Sequence, residues 1–336
     1  MQKTIFTLAF ALLAAVGSAQ TVYFHQDFSQ TTGLIDPQPD TGQFSHVILT
    51  APALSYHQFH KGYMELVRSR QDSATGGIIR TLRATPFEPN PETLVIRIKL
   101  SVEDIQSAGV NALYLYVGED FNPVNNSFPG NGLMFAKCSM NFTDEGFTVK
   151  DLETQQTSPI CPEKKQVTLT WVLNNSPKPL PYRITTAGPE ETARPGTYDL
   201  WVGDVPVCKA SRAYPGTSAY SKTKLSNFEM RFRNGVGKIR IDEISIDDGT
   251  PKHVSDDFFL APNPAGRDGI FVVGKGVNAA AIRLIDMNGW VLPVKTSLPK
   301  QDRLKVLPLC PPASGIHTLE LKMPDGRLHR LKLMIE

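Results

Sequence analysis

No stretch of this 336-residue chain approaches eighteen uninterrupted apolar residues, which excludes a bilayer-spanning helix. Cysteine is scarce, with four in the whole sequence, and no two stand as Cys-x-x-Cys. The phosphate loop, the His-Glu-x-x-His helix and the Gly-x-Ser-x-Gly elbow are missing as well, so no motif names a reaction. Helical periodicity is nearly absent; only Val102 to Gly109 hints at a short helix. Neither sign of charge dominates. Up to Pro251, and leaving out Lys3, the chain carries 22 basic and 25 acidic residues; from Lys252 onward it carries 12 and 8. A net charge this small over the larger block argues against nucleic acid or an anionic membrane as the main partner.

What the chain does have is period-two alternation. Leu94, Ile96, Ile98 and Leu100 share one face, with Arg97 and Lys99 on the other. The same alternation places Leu113, Leu115 and Val117 opposite Tyr114 and Tyr116. It recurs in Val167 to Leu173, in Tyr198 to Val202, and in Phe228, Met230 and Phe232 against Glu229, Arg231 and Arg233. Turn-forming Pro, Gly, Asn and Ser separate these runs. Residues 20–249 therefore read as one large all-β domain, an antiparallel jelly-roll-like sandwich of the concanavalin-like or carbohydrate-binding-module kind. The length is ample for a real core.

The closing run, Lys238 to Ile246, changes parity between Ile241 and Ile244, so its apolar side stays inward only if an extra residue sits near Asp242-Glu243. That is a β-bulge. A first strand at His25-Gln26-Asp27-Phe28 pairs beside it. The bulge aims Asp242 toward Asp27, two hard oxygen ligands from opposite ends of the domain, and so predicts a structural calcium ion there. A hydrogen-bonded or solvated carboxylate pair fits the same two residues. Glu243, Ser245 and Asp247 lie on one strand face, as carboxylates for glycosidic cleavage would, but on a sandwich exterior such a trio also reads as a solvated face. His57 and His60 point to opposite faces and do not share a metal.

The candidate ligand site is the loop leaving the Leu113–Val117 strand. Glu119, Asp120, Phe121, Asn122, Asn125, Asn126 and Phe128 mix carboxylate, amide and aromatic groups, the set that bonds sugar hydroxyls and stacks on sugar faces. A surface loop with Asn and Gly for turn geometry is the plain alternative. A second long loop, Asn174 to Thr197, carries Tyr182. No catalytic residue is assigned.

At the start, Lys3, the apolar run Ile5 to Val16 and the small residues Gly17-Ser18-Ala19 form a secretory signal peptide over 1–19, which implies the Sec translocon as a partner. After a linker at 250–257, residues 258–336 read as a second, small immunoglobulin-like antiparallel sandwich. Its signals are Pro262-Asn263-Pro264, the Asn288-Gly289 turn and the Pro324-Asp325-Gly326 turn. With Asp286-Met287-Asn288-Gly289, Ser314-Gly315-Ile316 and the basic-apolar ending Leu328 to Leu333, this stretch resembles the type A C-terminal sorting domain of proteins exported by the type IX secretion system of Bacteroidota. The family usually has Tyr where His317 stands. The resemblance marks Pro262, Asn263, Pro264, Asp286, Gly289 and Gly315 as the sorting motif. It implies the type IX machinery and its C-terminal-domain protease as partners, with removal of the module near the linker at the cell surface. Asp72-Ser73-Ala74 resembles the O-glycosylation sequon of the same group.

Export places Cys138, Cys161, Cys208 and Cys310 in an oxidising compartment, where three pairings are open. A releasable module leaves Cys310 unpaired, so the bridge expected, if one forms, is Cys138–Cys161 with Cys208 and Cys310 free; four buried thiols are the alternative. Three functional classes follow for an extracellular or outer-membrane-surface protein. The leading one is a non-catalytic binder of glycan or of a host or matrix protein. The others are a glycoside hydrolase or polysaccharide lyase, and a structural surface-layer component.

Overall fold

Alternation alone leaves open which strands are neighbours. A computed structural model answers this for residues 20–70, 76–185, 188–213, 221–249, 258–265, 269–274, 281–298, 300, 303–322 and 328–335. The signal peptide, Ser73, the linker and the turn at 324–326 lie outside the described residues. The chain divides into two compact units, one holding residues 20–249 and the other 258–335. No described helix is long and apolar enough to cross a membrane.

The described strands of the first unit are β1 (Val22–Gln26), β2 (His46–Leu49), β3 (Ser55–His60), β4 (Tyr63–Arg68), β5 (Ile79–Arg83), β6 (Thr93–Ser107), β7 (Gly109–Gly118) and β8 (Met134–Thr143). They continue with β9 (Gly146–Asp151), β10 (Val167–Asn174), β11 (Leu180–Tyr182), β12 (Glu191–Ala193), β13 (Thr197–Val202), β14 (Val205–Arg212), β15 (Asn227–Phe232) and β16 (Val236–Asp247). Two antiparallel sheets form the sandwich. One runs β14-β13-β10-β6-β16-β4-β3, with β1 also on β16, and the other runs β2-β5-β15-β7-β8-β9. Each predicted apolar face points into the shared core, where Leu94, Ile98, Leu115, Trp171, Leu200, Met230 and Ile244 meet. The fold is all-β, as the alternation requires.

The bulge is where the parity change puts it. The β16 register with β6 shifts between Ile241 and Glu243. Its purpose is visible in the pairing: β4 covers Gly237 to Ile241, and β1 covers Ile244 to Asp247. One long strand thus serves two partners on the same edge. The helix expected at Val102 to Gly109 is instead the end of β6, which runs to Ser107, and the first residue of β7, because ladder pairing of β6 with β16 captures that backbone and buries Val102. The Asn174–Thr197 loop contains the β11-β12 hairpin. Tyr182 is buried there, donating to Asp199 Oδ2 at 2.5 Å and accepting from Trp201 Nε1 at 3.0 Å, so it anchors the hairpin on the sheet and lines no ligand site.

The expected Cys138–Cys161 bridge is corrected: all four cysteines are free thiols. Cys138 lies opposite Asp151 in the β8-β9 ladder, whereas Cys161 bridges Phe147, which pairs with Phe142. Four residues along a strand is roughly 13 Å, beyond disulfide reach. Burial also raises the pKa of Cys138, Cys161 and Cys208, which suppresses the reactive thiolate. With a maleimide under native conditions, exposed Cys310 should react first, Cys161 more slowly, and Cys138 and Cys208 only on unfolding. A peptide map with Cys138 labelled as fast as Cys310 would contradict this burial.

The second unit has β17 (Phe259–Ala261), β18 (Ile270–Val273), β19 (Ala281–Ile285), β20 (Val291–Leu292), β21 (Val294–Thr296), β22 (Arg303–Pro308), β23 (Gly315–Lys322) and β24 (Leu328–Ile335). They form two four-stranded antiparallel sheets, β17-β18-β22-β21 and β20-β19-β23-β24, around Ile270, Val272, Leu284, Leu319 and Leu333. The motif residues have structural work here. Asn263 donates to Lys332 O at 3.1 Å and accepts from Met334 N at 2.9 Å, joining the start of the unit to its last strand. Asp286 Oδ1 accepts from Asn288 N and Trp290 N, and Gly289 at φ +85° completes the hairpin turn. Gly315 opens β23, which pairs with β24 along its whole length.

Candidate functional site

The outward face of the six-stranded sheet is unusual for a solvent face, because its central residues are charged and buried. Arg80 on β5 and Arg231 on β15 pair in register, and Glu229 lies two residues before Arg231. All three are at most 1% exposed. Glu229 Oε1 accepts from Arg231 Nε at 2.6 Å and from Arg80 Nε at 3.1 Å, and Oε2 accepts from Arg80 Nη2 at 3.0 Å. One carboxylate therefore holds two guanidiniums. Buried charge demands this degree of satisfaction.

The remaining guanidinium donors fold the 119–133 loop down onto the sheet. Arg80 donates to Asn122 O, Asn125 O and Asn126 Oδ1, at 2.8 to 3.2 Å, which uses all five of its N–H groups. Arg231 donates to Asn126 O at 3.1 Å and Ser127 O at 3.0 Å. The ring of Phe128 is flanked by Arg231 at 4.8 Å and Arg233 at 4.6 Å, and meets Tyr114 and Tyr116 edge-on. At the loop's start, Glu119 takes Lys224 Nζ at 2.5 Å and the Thr223 hydroxyl. Burial would raise the Glu119 pKa, but the bonds from Lys224 and Thr223 outweigh it and the pKa is lowered. Gly118 is required where the loop departs, since a Cβ there would collide with the Leu133 carbonyl and the Phe121 ring.

Between the loop and Arg80 lies a cleft of about 280 Å³ lined by Asp120, Phe121, Asn122, Asn125, Ser127 and Phe128, among others. Five of the seven sequence-predicted ligand residues line it. Glu119 and Asn126 do not, and they fasten the loop instead. Asn122 Oδ1 accepts from Val124 N and Asn125 N, and Asn125 Oδ1 from Ser127 N, so these carbonyl oxygens shape turns while both side-chain amide NH₂ groups stay uncommitted among the described residues. Asp120 is exposed, sits at φ +52°, and its carboxylate accepts no hydrogen bond among the described residues. The cleft thus offers one acceptor, two amide donors, a hydroxyl and an aromatic ring on a backbone that is already fixed. Arg80, Glu229, Arg231 and Lys224 escaped the sequence reading. Their signal was the Glu-x-Arg-x-Arg alternation opposite an apolar face, which reads equally as solvated charge.

The other candidate positions are used differently. Asp242 Oδ1 takes Arg240 at 2.7 to 2.8 Å and Oδ2 takes Gln166 at 3.0 Å, while Asp27 is exposed and caps Ser29 N. Asp242 is neutralised by the Arg240 guanidinium, so the calcium expected across Asp27 and Asp242 is corrected to an ion-paired bulge. Among the described residues no group of three or more His, Cys, Asp or Glu could hold a metal. Glu243 faces Lys99 at 4.0 Å and His25 at 3.9 Å, and Asp247 binds Arg97 at 2.9 Å. This is a charge-matched sheet face, solvated at Glu243 and buried at Asp247.

No protein-family model matches the sequence, and a search of curated proteins finds no match. Among solved structures, the metal-free carbohydrate recognition domain of Emp46p is 10% identical, with 66% of this chain and 94% of that one covered at a TM-score of 0.39. A protein of unknown function with a galectin-like fold from Bacillus subtilis is 7% identical, with 69% and 97% covered at a TM-score of 0.41. The VIP36 exoplasmic/lumenal domain in its Ca²⁺/Man-bound form is 6% identical, with 66% and 89% covered at a TM-score of 0.37. No residue role passes from them to this chain.

Proposed function

We propose that this chain is a non-catalytic glycan-binding protein of the cell exterior, its ligand taken in the cleft under the 119–133 loop. The observation that carries the reading is the uncommitted Asp120 carboxylate beside the free amides of Asn122 and Asn125 and the ring of Phe128. A carboxylate accepts from neighbouring sugar hydroxyls, amides donate to them, and a ring covers the apolar side of the sugar. The volume suits one or two sugar rings. Because Arg80 and Arg231 already hold the loop, little ordering entropy is lost on binding. The delivery part of the proposal rests on the signal-peptide pattern and on the resemblance of 258–336 to a type IX sorting domain. In it the first unit is cargo and the second an address.

The test is a glycan array with the purified protein, followed by calorimetry on the best ligand. Asp120→Asn keeps a residue that tolerates positive φ and removes the charge. It should weaken binding about tenfold or more, the scale of a charge-assisted hydrogen bond, with an unchanged melting temperature. Equal affinity for Asp120→Asn, or no glycan bound at all, would sink the reading.

A further inference from the structure

The loop covers the outward face of the six-stranded sheet at Arg80, Arg231, Tyr114 and Tyr116. Across β15, β7, β8 and β9 the register aligns Arg231, Tyr114, Ser139 and Lys150 in one row. Phe128 ends the cover above Tyr114; beyond it Ser139 is fully buried, its hydroxyl on Asn111 Oδ1, and Lys150 is half-buried at the end of the row. Beside it Lys137 pairs with Tyr116, and Asn141 with Thr148. Arg233, one residue past the end of β15, follows Arg231 at the same parity.

The charge on this face has one sign. On β5, β15, β7, β8 and β9 the outward cations are Arg80, Arg231, Lys137 and Lys150, with Arg233 just past β15, and the one outward carboxylate on these strands is Glu229, consumed by Arg80 and Arg231. The loop carbonyls that complete Arg80 and Arg231 carry no net charge, so with Lys137 left out the four cations Arg80, Arg231, Arg233 and Lys150 exceed the two carboxylates Glu229 and Asp120, and a positive surplus remains. Arg233 stacks on Phe128 with its Nε unpartnered, and neither Arg233 nor Lys150 has a carboxylate partner among the described residues. Asp144 and Glu145 sit only at the hairpin tip past Thr143.

The geometry points to an acidic oligosaccharide as the ligand class, with one sugar in the Asp120 cleft and the next ones running over Tyr114 toward Lys150, their carboxylate or sulfate groups meeting Arg233 and Lys150. This rests on the glycan reading above and extends it. Three inter-strand spacings, roughly 14 Å, separate β15 from β9, so a single ring cannot span them and a short chain can. Anions are drawn by the surplus.

The experiment is calorimetry of the full chain with oligogalacturonate, its fully methyl-esterified and uncharged form, a chondroitin sulfate oligosaccharide and a single-stranded DNA of equal charge. Expected are binding of the carboxylated or sulfated chain about tenfold tighter than the ester, weakening as salt rises, and loss of that preference in Lys150→Glu. The ester affinity and the melting temperature of Lys150→Glu should match the wild type, because Lys150 lies outside the cleft. A sulfated chain bound in preference to the carboxylated one, or the reverse, identifies the acidic group and supports the proposal. Equal affinity for acid and ester, or an acid preference that survives in Lys150→Glu, would overturn it while leaving the cleft as a neutral-sugar site. Equal binding of the DNA would also overturn it, as unselective polyanion capture. Binding of no oligosaccharide would end both readings.

Discussion

Replacing Glu229 by alanine is expected to lower the melting temperature by about 6–20 °C and to abolish ligand binding. Both oxygens of Glu229 are taken by Arg80 and Arg231, and all three side chains are buried. Removing the anion leaves two desolvated guanidiniums facing each other, a loss of about 3–5 kcal/mol for a broken buried pair. A unit of this size converts that at roughly 2–4 °C per kcal/mol. The loop should detach with it, since the same guanidiniums hold Asn122, Asn125, Asn126 and Ser127. Limited proteolysis within 119–133 reads that directly. A change below 3 °C, with the loop still protected, would show that the ion cluster does not hold the loop.

Asp151→Asn should be nearly as damaging, and with a pH signature. Buried Asp151 accepts from Tyr198 OH at 2.6 Å, Thr154 Oγ1 at 2.6 Å, Thr154 N at 3.0 Å and Ser211 Oγ at 3.0 Å, tying β9 to β13 and β14 across the sandwich. An amide presents N–H groups to some of these donors, and each buried unsatisfied group costs about 1–3 kcal/mol. Burial pushes the Asp151 pKa up, but the bonds from Thr154, Tyr198 and Ser211 together overcome it, and the folded-state pKa lies below the usual value. A depressed carboxylate contributes stability that is fully present above its unfolded pKa, about 3.9, and is lost as pH falls through the folded pKa. Urea midpoints at pH 7 and at successively lower pH should therefore show the wild-type advantage over Asp151→Asn constant down to about pH 4 and shrinking below it. An advantage that grows on acidification would reverse the assigned role.

The parts legible in the sequence are those set by local geometry. Leu94 to Leu100, Val167 to Leu173 and Phe228 to Phe232 alternate because successive strand side chains point to opposite faces, and the parity break at Asp242-Glu243 located the bulge without any knowledge of its partners. The loop that lines the candidate cleft was legible in part, because Asp120, Asn122 and Asn125 are the polar groups a turn-rich loop exposes.

Tertiary structure alone decided which of these groups remain available. Glu229 and Arg231 look like solvated charges from their strand, and only the pairing of β15 with β5, distant in sequence, brings Arg80 beside them and buries all three under the loop. The same long-range pairing drew Val102 to Ser107 into β6, set Cys138 and Cys161 at opposite ends of a ladder, and gave Asp242 to Arg240 and Gln166 instead of to calcium. Side-chain alternation is a property of one strand and survives in any fold. Charge neutralisation, thiol spacing and burial are properties of neighbours, and in a sheet protein the neighbours are chosen by ladder pairing between segments far apart in the chain.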